Sequence, residues 1–346
     1  MMKSHDANSN ISSGSNTSIR QKADAFRPDH LIGKIPVGIS SCLLGDNVRF
    51  NGGHSRSTYC LGPLSEYFEY KKFCPEVAAG FGTPRPTLRL IGDPNAPVMT
   101  YTKGTGEDLT GQFKQASERY LATMPELDGY IVMKNSPSCG ISRIKVYQEN
   151  GHPHMERVSG LFTDALMRKF PLLPVEEDGR LNDPALRENF MLRVFAHHEF
   201  RLSVAYAPTM KALIDFHSRY KYLVMAHSQP AYKSLGRLLS GQEKCAIETL
   251  CERYFSEFMT ALSKPAKRRN HCNVLMHLVG YLKKAVDASI RKDILEVIEQ
   301  YRRGEVFLTT PMTILHHYLK QYGSDYVKHQ RYFEPYPKAL GIRNSV

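Results

Sequence analysis

The chain has 346 residues, enough for two domains of ordinary size, and its 42% hydrophobic and 23% charged residues exclude a fibrous or largely disordered protein. No run approaches the ~20 apolar residues that a bilayer-spanning helix requires, and the first apolar run is too late and too short for a signal peptide, so a soluble cytoplasmic protein with no membrane partner is expected. The net charge of +12 is uneven: about +11 falls from residue 189 onward, as in a catalytic domain joined to a polyanion-binding domain, or as in a merely soluble basic surface.

Residues 1–34 are rich in Ser, Asn, Asp and Lys and read as a disordered tail, because such a mixture buries too little surface to offset ordering entropy. From Ile35 short apolar runs broken by Gly and Pro predict strands at Pro36–Ser40, Leu88–Ile91, Pro97–Tyr101 and Tyr130–Met133, with a last one in Leu172–Glu177. Between them Leu109, Phe113, Ala116, Tyr120 and Leu121 recur at nearly helical spacing, so strands and helices alternate. The expected fold class is α/β, a mostly parallel, Rossmann-like sheet forming a catalytic domain over 35–180, followed by an all-α C-terminal domain over 185–325. Asp183 as N-cap and Pro184 at the first helical position begin the second domain, with breaks expected at Pro208, Gln229-Pro230, Ser240-Gly241, Lys264-Pro265 and Thr310-Pro311.

The seven cysteines lack the dense spacing of a secreted disulfide scaffold and are expected to be reduced. Cys42 follows one strand, Cys74 ends a second short apolar segment, and Cys139 follows the strand at Tyr130–Met133. Loops at strand ends converge over the carboxyl edge of an α/β sheet, where ligands usually sit. Three convergent thiolates without a fourth suit an iron–sulfur cluster with one open iron, while zinc held by the three cysteines and His54 is the competing reading. Glu76 and Ser136 would stand beside such a metal, one as a general base toward water and the other as a hydroxyl holding substrate; alone, each reads equally as a solvated carboxylate and a turn serine.

The run Cys42-Leu-Leu-Gly45, Val48-Arg-Phe-Asn-Gly-Gly53, Cys74-Pro-Glu-Val77, Pro84-Arg-Pro86 and Ser136-Pro-Ser-Cys-Gly140 resembles the TudS thiouracil desulfidase family over nearly all of residues 36–178. The resemblance implies a [4Fe-4S] cluster bound by Cys42, Cys74 and Cys139, with Glu76 and Ser136 as the catalytic pair. This chain departs from many relatives in having Arg49-Phe-Asn-Gly52 in place of Arg-Tyr-Asp-Gly, and in lacking a carboxylate in Thr87-Leu-Arg-Leu90, which alters substrate contacts rather than metal ligands.

In the second half, Phe216–Ser228 and Tyr232–Arg237 mix cations, aromatics and histidines, and Lys264–Arg269 is a second basic cluster. Cations suit phosphates and aromatic faces suit unpaired bases, so Arg219, Lys221, Lys233, Arg237, Lys267, Arg268 and Arg269 are candidate nucleic-acid contacts; the opposing reading puts the tyrosines and Leu223–Met225 in the core. Cys245, Cys251, His271, Cys272 and His277 are expected to be ordinary helical residues rather than a second metal site, and Cys60 likewise a buried thiol. Residues 189–310 resemble the YbgA-type helical domain, and the two-domain arrangement is similar to the RudS desulfidases, which act on 4-thiouridine in transfer RNA. The resemblance implies conversion of 4-thiouridine in tRNA to uridine without net oxidation, with tRNA as partner; no obligate protein partner is evident in the sequence. Three readings compete: a desulfidase of free thiouracil or thionucleosides, a non-catalytic nucleic-acid-binding protein with structural zinc, and a thiol-redox protein, the last weakened by the lack of a Cys-x-x-Cys pair.

Overall fold

The structure, a computed structural model, describes residues 33–103, 106–241, 245–340 and 343. The expected N-terminal tail therefore lies almost wholly outside the described residues. Four strands, β1 (Ile35–Ser40), β2 (Phe68–Phe73), β5 (Gly129–Val132) and β8 (Val175–Glu177), form an all-parallel sheet in the order β2-β1-β5-β8. The α/β class is thus as expected. The strands at Leu88–Ile91 (β3) and Val98–Tyr101 (β4), however, belong to a second sheet with β6 (Ile144–Tyr147) and β7 (Pro153–Val158). Its β3–β4 and β6–β7 pairs are antiparallel, and only β3–β6 is parallel. Short connections between β3 and β4 allow only antiparallel return, because a parallel crossover needs a dozen or more residues.

Side chains alternate across a strand, and the central strands of the first sheet use that alternation to serve two cores. Ile35, Val37, Ile39 and Ile131 point into one hydrophobic cluster, while Tyr130 and Val132 point into another with Phe113 and Phe162. The second cluster is covered by helices α1 (Thr110–Thr123) and α2 (Leu161–Lys169). The first is covered by α3 (Pro184–Phe200), whose N-cap Asp183 accepts hydrogen bonds from the amides of Ala185 and Leu186. A Cβ on Gly129 would lie 2.7 Å from Val194 and 3.5 Å from Phe190, so the missing side chain lets α3 lie directly on β5.

Helices α4 (Met210–His227), α5 (Gln229–Leu238), α6 (Ile247–Leu262), α7 (Arg268–Val279), α8 (Ala288–Arg303) and α9 (Thr309–Tyr322) complete the all-α part, which shares the hydrophobic cluster of β1. Pro311 does not separate two helices: it lies in the first turn of α9, where a missing amide hydrogen breaks no internal bond. The helical part also continues past residue 325, since Val327, Tyr332, Phe333 and Tyr336 are buried in it. At the seam, Asp128, fully buried before β5, accepts hydrogen bonds from Arg201 at 2.9 and 2.6 Å and pairs with His197 and His198 of α3 at 2.9 and 2.6 Å.

Candidate active site

Three loops leave the carboxyl ends of β1, β2 and β5 and meet over one cavity of about 210 Å³. After β1 the chain makes a short 3-10 turn, Ser41–Leu44, that reverses at Gly45 with φ 99°, a conformation that favours glycine. Cys42 sits in that turn, 8% exposed, and its carbonyl accepts the amide of Ser55 at 2.9 Å. Cys74 directly follows β2 and precedes the single helical turn Pro75–Ala78, which carries Glu76. Cys139 lies beyond β5 in a turn where the Ser136 hydroxyl oxygen accepts the amides of Ser138 and Cys139, each at 3.2 Å. Thr163 of α2 donates to the Cys139 carbonyl at 2.6 Å, and Glu177 at the end of β8 accepts the amide of Ile141 at 2.9 Å. Gly160 is required here, because a Cβ would lie 2.5 Å from the Ser138 backbone.

Cys42, Cys74, Cys139, Glu76 and Ser136 all line this cavity. Burial pushes the Cys42 thiol up to about 11, with Arg49 opposing the shift, and burial followed by the nearby Glu76 pushes Cys74 up to about 12. Cys139 is raised well above its ordinary value by burial, then by Glu76 and Cys74. Burial thus opposes a free thiolate nucleophile at these positions, and a metal bound there would have to displace the thiol protons. Among the described residues no three His, Cys, Asp or Glu side chains close around a point that could hold a metal ion. A zinc ion needs its ligands at ~2.0–2.3 Å from one centre, whereas a cluster takes each thiolate on a different iron, so three separated thiols around a cavity fit the cluster better. His54 is exposed, does not line the cavity, and accepts the amide of Arg56 at 3.3 Å; the zinc reading loses its fourth ligand.

Glu76 is held from both sides. Arg85 donates from Nη2 to its Oε2 at 2.7 Å, the Ser138 hydroxyl donates to Oε1 at 2.7 Å, and the Cys74 sulfur lies 3.5 Å from Oε2. The Arg85 side chain is 4% exposed and also donates to the carbonyls of Val48 at 3.0 Å and Gly82 at 2.9 Å, tying three loops together. In the sequence Arg85 and Ser138 stand only as motif letters with no role attached; their place inside the two motifs was the signal that could have found them. Arg49 and Lys134 add positive charge to the cavity wall.

The helical candidates divide by burial. Tyr220 and Tyr222 through Ala226 are buried, so that stretch is core, as the opposing reading held. Arg219 is half-buried and paired with the buried Glu199 at 3.0 Å, and Lys221 lies over the rings of Tyr222 and Tyr326 with its amine lowered by burial. Both are engaged within the helical part, Arg219 by an ion pair and Lys221 by ring contacts. Lys233, Arg237, Lys267, Arg268 and Arg269 are exposed. His227 at the end of α4 is hydrogen-bonded to the Lys264 carbonyl at 2.8 Å, which sets the start of α5 beside the second basic cluster. Cys251 and Cys272 are buried, Cys245 is exposed, and His271 is bonded to Tyr332 at 3.0 Å, so these residues form no common site.

A family profile described as 2-thiouracil desulfurase matches residues 37–178, and one described as a protein of unknown function, DUF1722, matches residues 221–337. A Bacillus subtilis (strain 168) protein, the uncharacterized YbbK, is 31% identical over 151 residues, covering 42% of this chain and 97% of its own. The chain belongs to the 2-thiouracil desulfurase family, with a DUF1722 region following. The uncharacterized YbgA of Escherichia coli (strain K12) is 36% identical over 159 residues, 46% of this chain and 94% of its own. A solved structure, the [4Fe-4S]-dependent thiouracil desulfidase TudS, is 30% identical and covers 45% of this chain and 98% of that one, with a TM-score of 0.34. The family read from the cysteine motifs is the one found.

Proposed function

We propose that this protein is a desulfidase of thiouracil-like bases that converts 4-thiouridine in tRNA to uridine, using a [4Fe-4S] cluster held by Cys42, Cys74 and Cys139. The observation that carries the reading is the convergence of those three thiols with Glu76 and Ser136 on one cavity. When bound, such a cluster supplies a Lewis-acidic iron with an open position for a soft sulfur. Glu76 takes a proton from water, whose oxygen forms the new C–O bond as the C–S bond breaks and sulfur leaves as hydrosulfide, so there is no net oxidation. Arg85 and Ser138 hold the carboxylate in place while its remaining lone pairs face the reaction. The Ser136 oxygen already accepts two amides, which leaves its hydroxyl hydrogen free to orient the base. Arg49 and Lys134 on the wall attract an anionic substrate.

A base enters such a cavity only from an exposed or extruded nucleotide, and exposed cations of the helical part, Lys233, Arg237 and Lys267–Arg269, would hold the backbone phosphates. Binding should therefore weaken with salt. The test is anaerobic: the protein is reconstituted with iron and sulfide and given tRNA containing 4-thiouridine, and loss of the thiobase absorbance is followed with hydrosulfide release. Cluster-dependent formation of uridine is expected. A fully loaded protein that spares tRNA and desulfurates free 2-thiouracil would overturn the tRNA assignment and keep the chemistry.

A further inference from the structure

A second cavity, of about 380 Å³, lies in the helical part, far along the chain from the cysteine loops. It runs along one face of α9, where Thr309, Thr313, His316, His317 and Lys320 follow at helical spacing. That face extends over about 16 Å at ~1.5 Å per residue. The opposite wall comes from the buried segment after α9, with Phe333, Pro335 and Tyr336 as an apolar floor and Lys338 at the rim. The lining contains two histidines, two lysines and an arginine and no carboxylate. Two acids outside the lining touch it: Glu188 meets Arg343 and Tyr336 at 2.9 and 3.2 Å, and Glu334 meets Lys338 at 2.6 Å, Lys320 at 3.5 Å and His316 at 3.7 Å. One carboxylate thus faces two lysines, which remain 55% and 65% exposed. His316 stacks on Phe333 with ring centroids 4.4 Å apart, and burial followed by the neighbouring Lys320 lowers it to about 4, so it is a neutral flat surface at pH 7. Arg343 is committed to Glu188 at 2.9 Å and to the Tyr332 carbonyl at 2.6 Å, and it serves the wall rather than a ligand.

A site of this make-up matches a ligand with a charged end and a flat apolar part. Lysines at a rim beside threonine hydroxyls hold phosphate oxygens, and an aromatic floor holds a ring. We infer that this groove binds a phosphate-bearing nucleotide, either free or as one unit of a polynucleotide strand. The inference does not depend on the desulfidase chemistry, since none of these residues touches the cysteine cavity and no cluster is needed to test it.

The test uses the full-length protein in titration calorimetry with uridine 5′-monophosphate and with a short single-stranded oligouridylate as probes. Lys320→Glu with Lys338→Glu is expected to weaken both by about tenfold or more, while Lys211→Glu, an exposed reversal on α4, leaves them unchanged. Thr313→Trp, which plugs the exposed face of the groove and replaces none of the residues paired with Glu334, should give the same loss and guards against misfolding of the double variant. An oligouridylate far tighter than the mononucleotide assigns the site to a strand, and equal affinities assign it to a free nucleotide. Absence of binding, equal weakening by Lys211→Glu, or displacement of the mononucleotide by an equal concentration of inorganic phosphate would overturn the proposal.

Discussion

The loops over residues 40–139 and the helix pair over residues 216–237 both concentrate chemically active side chains, and the fold uses them in opposite ways. In the first region, cysteines about thirty and sixty-five residues apart in sequence are delivered to one cavity because each follows a strand of the same parallel sheet. In the second, Tyr220 and Tyr222–Ala226 lie on the stretch of a helix that is almost wholly buried, so their proximity in sequence reflects packing and not a site. Functional residues gathered by topology are thus better indicators of chemistry than residues gathered by sequence, since a helix turns its neighbours in every direction.

The cysteines give this contrast its most severe test. Cys42→Ala, Cys74→Ala and Cys139→Ala should each abolish activity and cluster content, measured as iron and sulfide per chain and as disappearance of the brown colour, whereas Cys251→Ala and Cys272→Ala should keep both. A Cys74→Ala protein that binds a full cluster would remove it from the ligand set. Next, Glu76→Ala should lower kcat by about 10²–10⁴ with iron content unchanged, the size usual for removal of a general base. It also strands the buried Arg85 guanidinium, at a cost of about 3–5 kcal/mol in the unloaded protein, so a melting curve should shift as well. Unchanged turnover would exclude Glu76 as the base.

The seam between the regions offers the third test. Burial pushes the Asp128 carboxyl up, and hydrogen bonds from His197, His198 and Arg201 outweigh it, holding the group well below the usual carboxylate range. A folded value below the unfolded one stabilises the protein above the unfolded pKa of about 3.9, and that contribution is lost as pH falls from there toward the folded value. Asp128→Asn should therefore destabilise by about 3 kcal/mol near pH 7 and by progressively less below pH ~4, read as the difference between wild-type and variant unfolding midpoints. A pH-independent difference would exclude the ionised carboxylate as its source. The smallest effects separate core cations from surface ones. Replacing Lys267, Arg268 and Arg269 together by Ala should leave stability nearly unchanged. The same change should flatten the slope of log affinity for tRNA against log salt by up to about 0.7–0.9 for each phosphate no longer neutralised. Arg219→Ala should do the reverse, costing about 1–3 kcal/mol through Glu199 and leaving binding alone. Equal weakening of tRNA binding in the two variants would return Arg219 to the interface.

Local sequence carried the strands of the parallel sheet and β3 and β4, but not β6 or β7, together with the helix N-cap at Asp183, the α/β class and the family, because alternation, capping and the Cys42, Cys74 and Cys139 motifs depend only on near neighbours. The separate mixed sheet was not legible, since a strand's partner is chosen by packing and connection length rather than by its own residues. Nor was the Arg85–Glu76–Ser138 arrangement, whose members come from three loops that meet only in the folded chain. Position along the chain likewise could not tell Arg219 from Lys233: burial beside Glu199 ties up one, and solvent surrounds the other. Which residues exist to do chemistry was therefore set by the sequence, and which of them stand free to do it was decided by tertiary burial, because desolvation and pairing act between groups that the chain brings together only on folding.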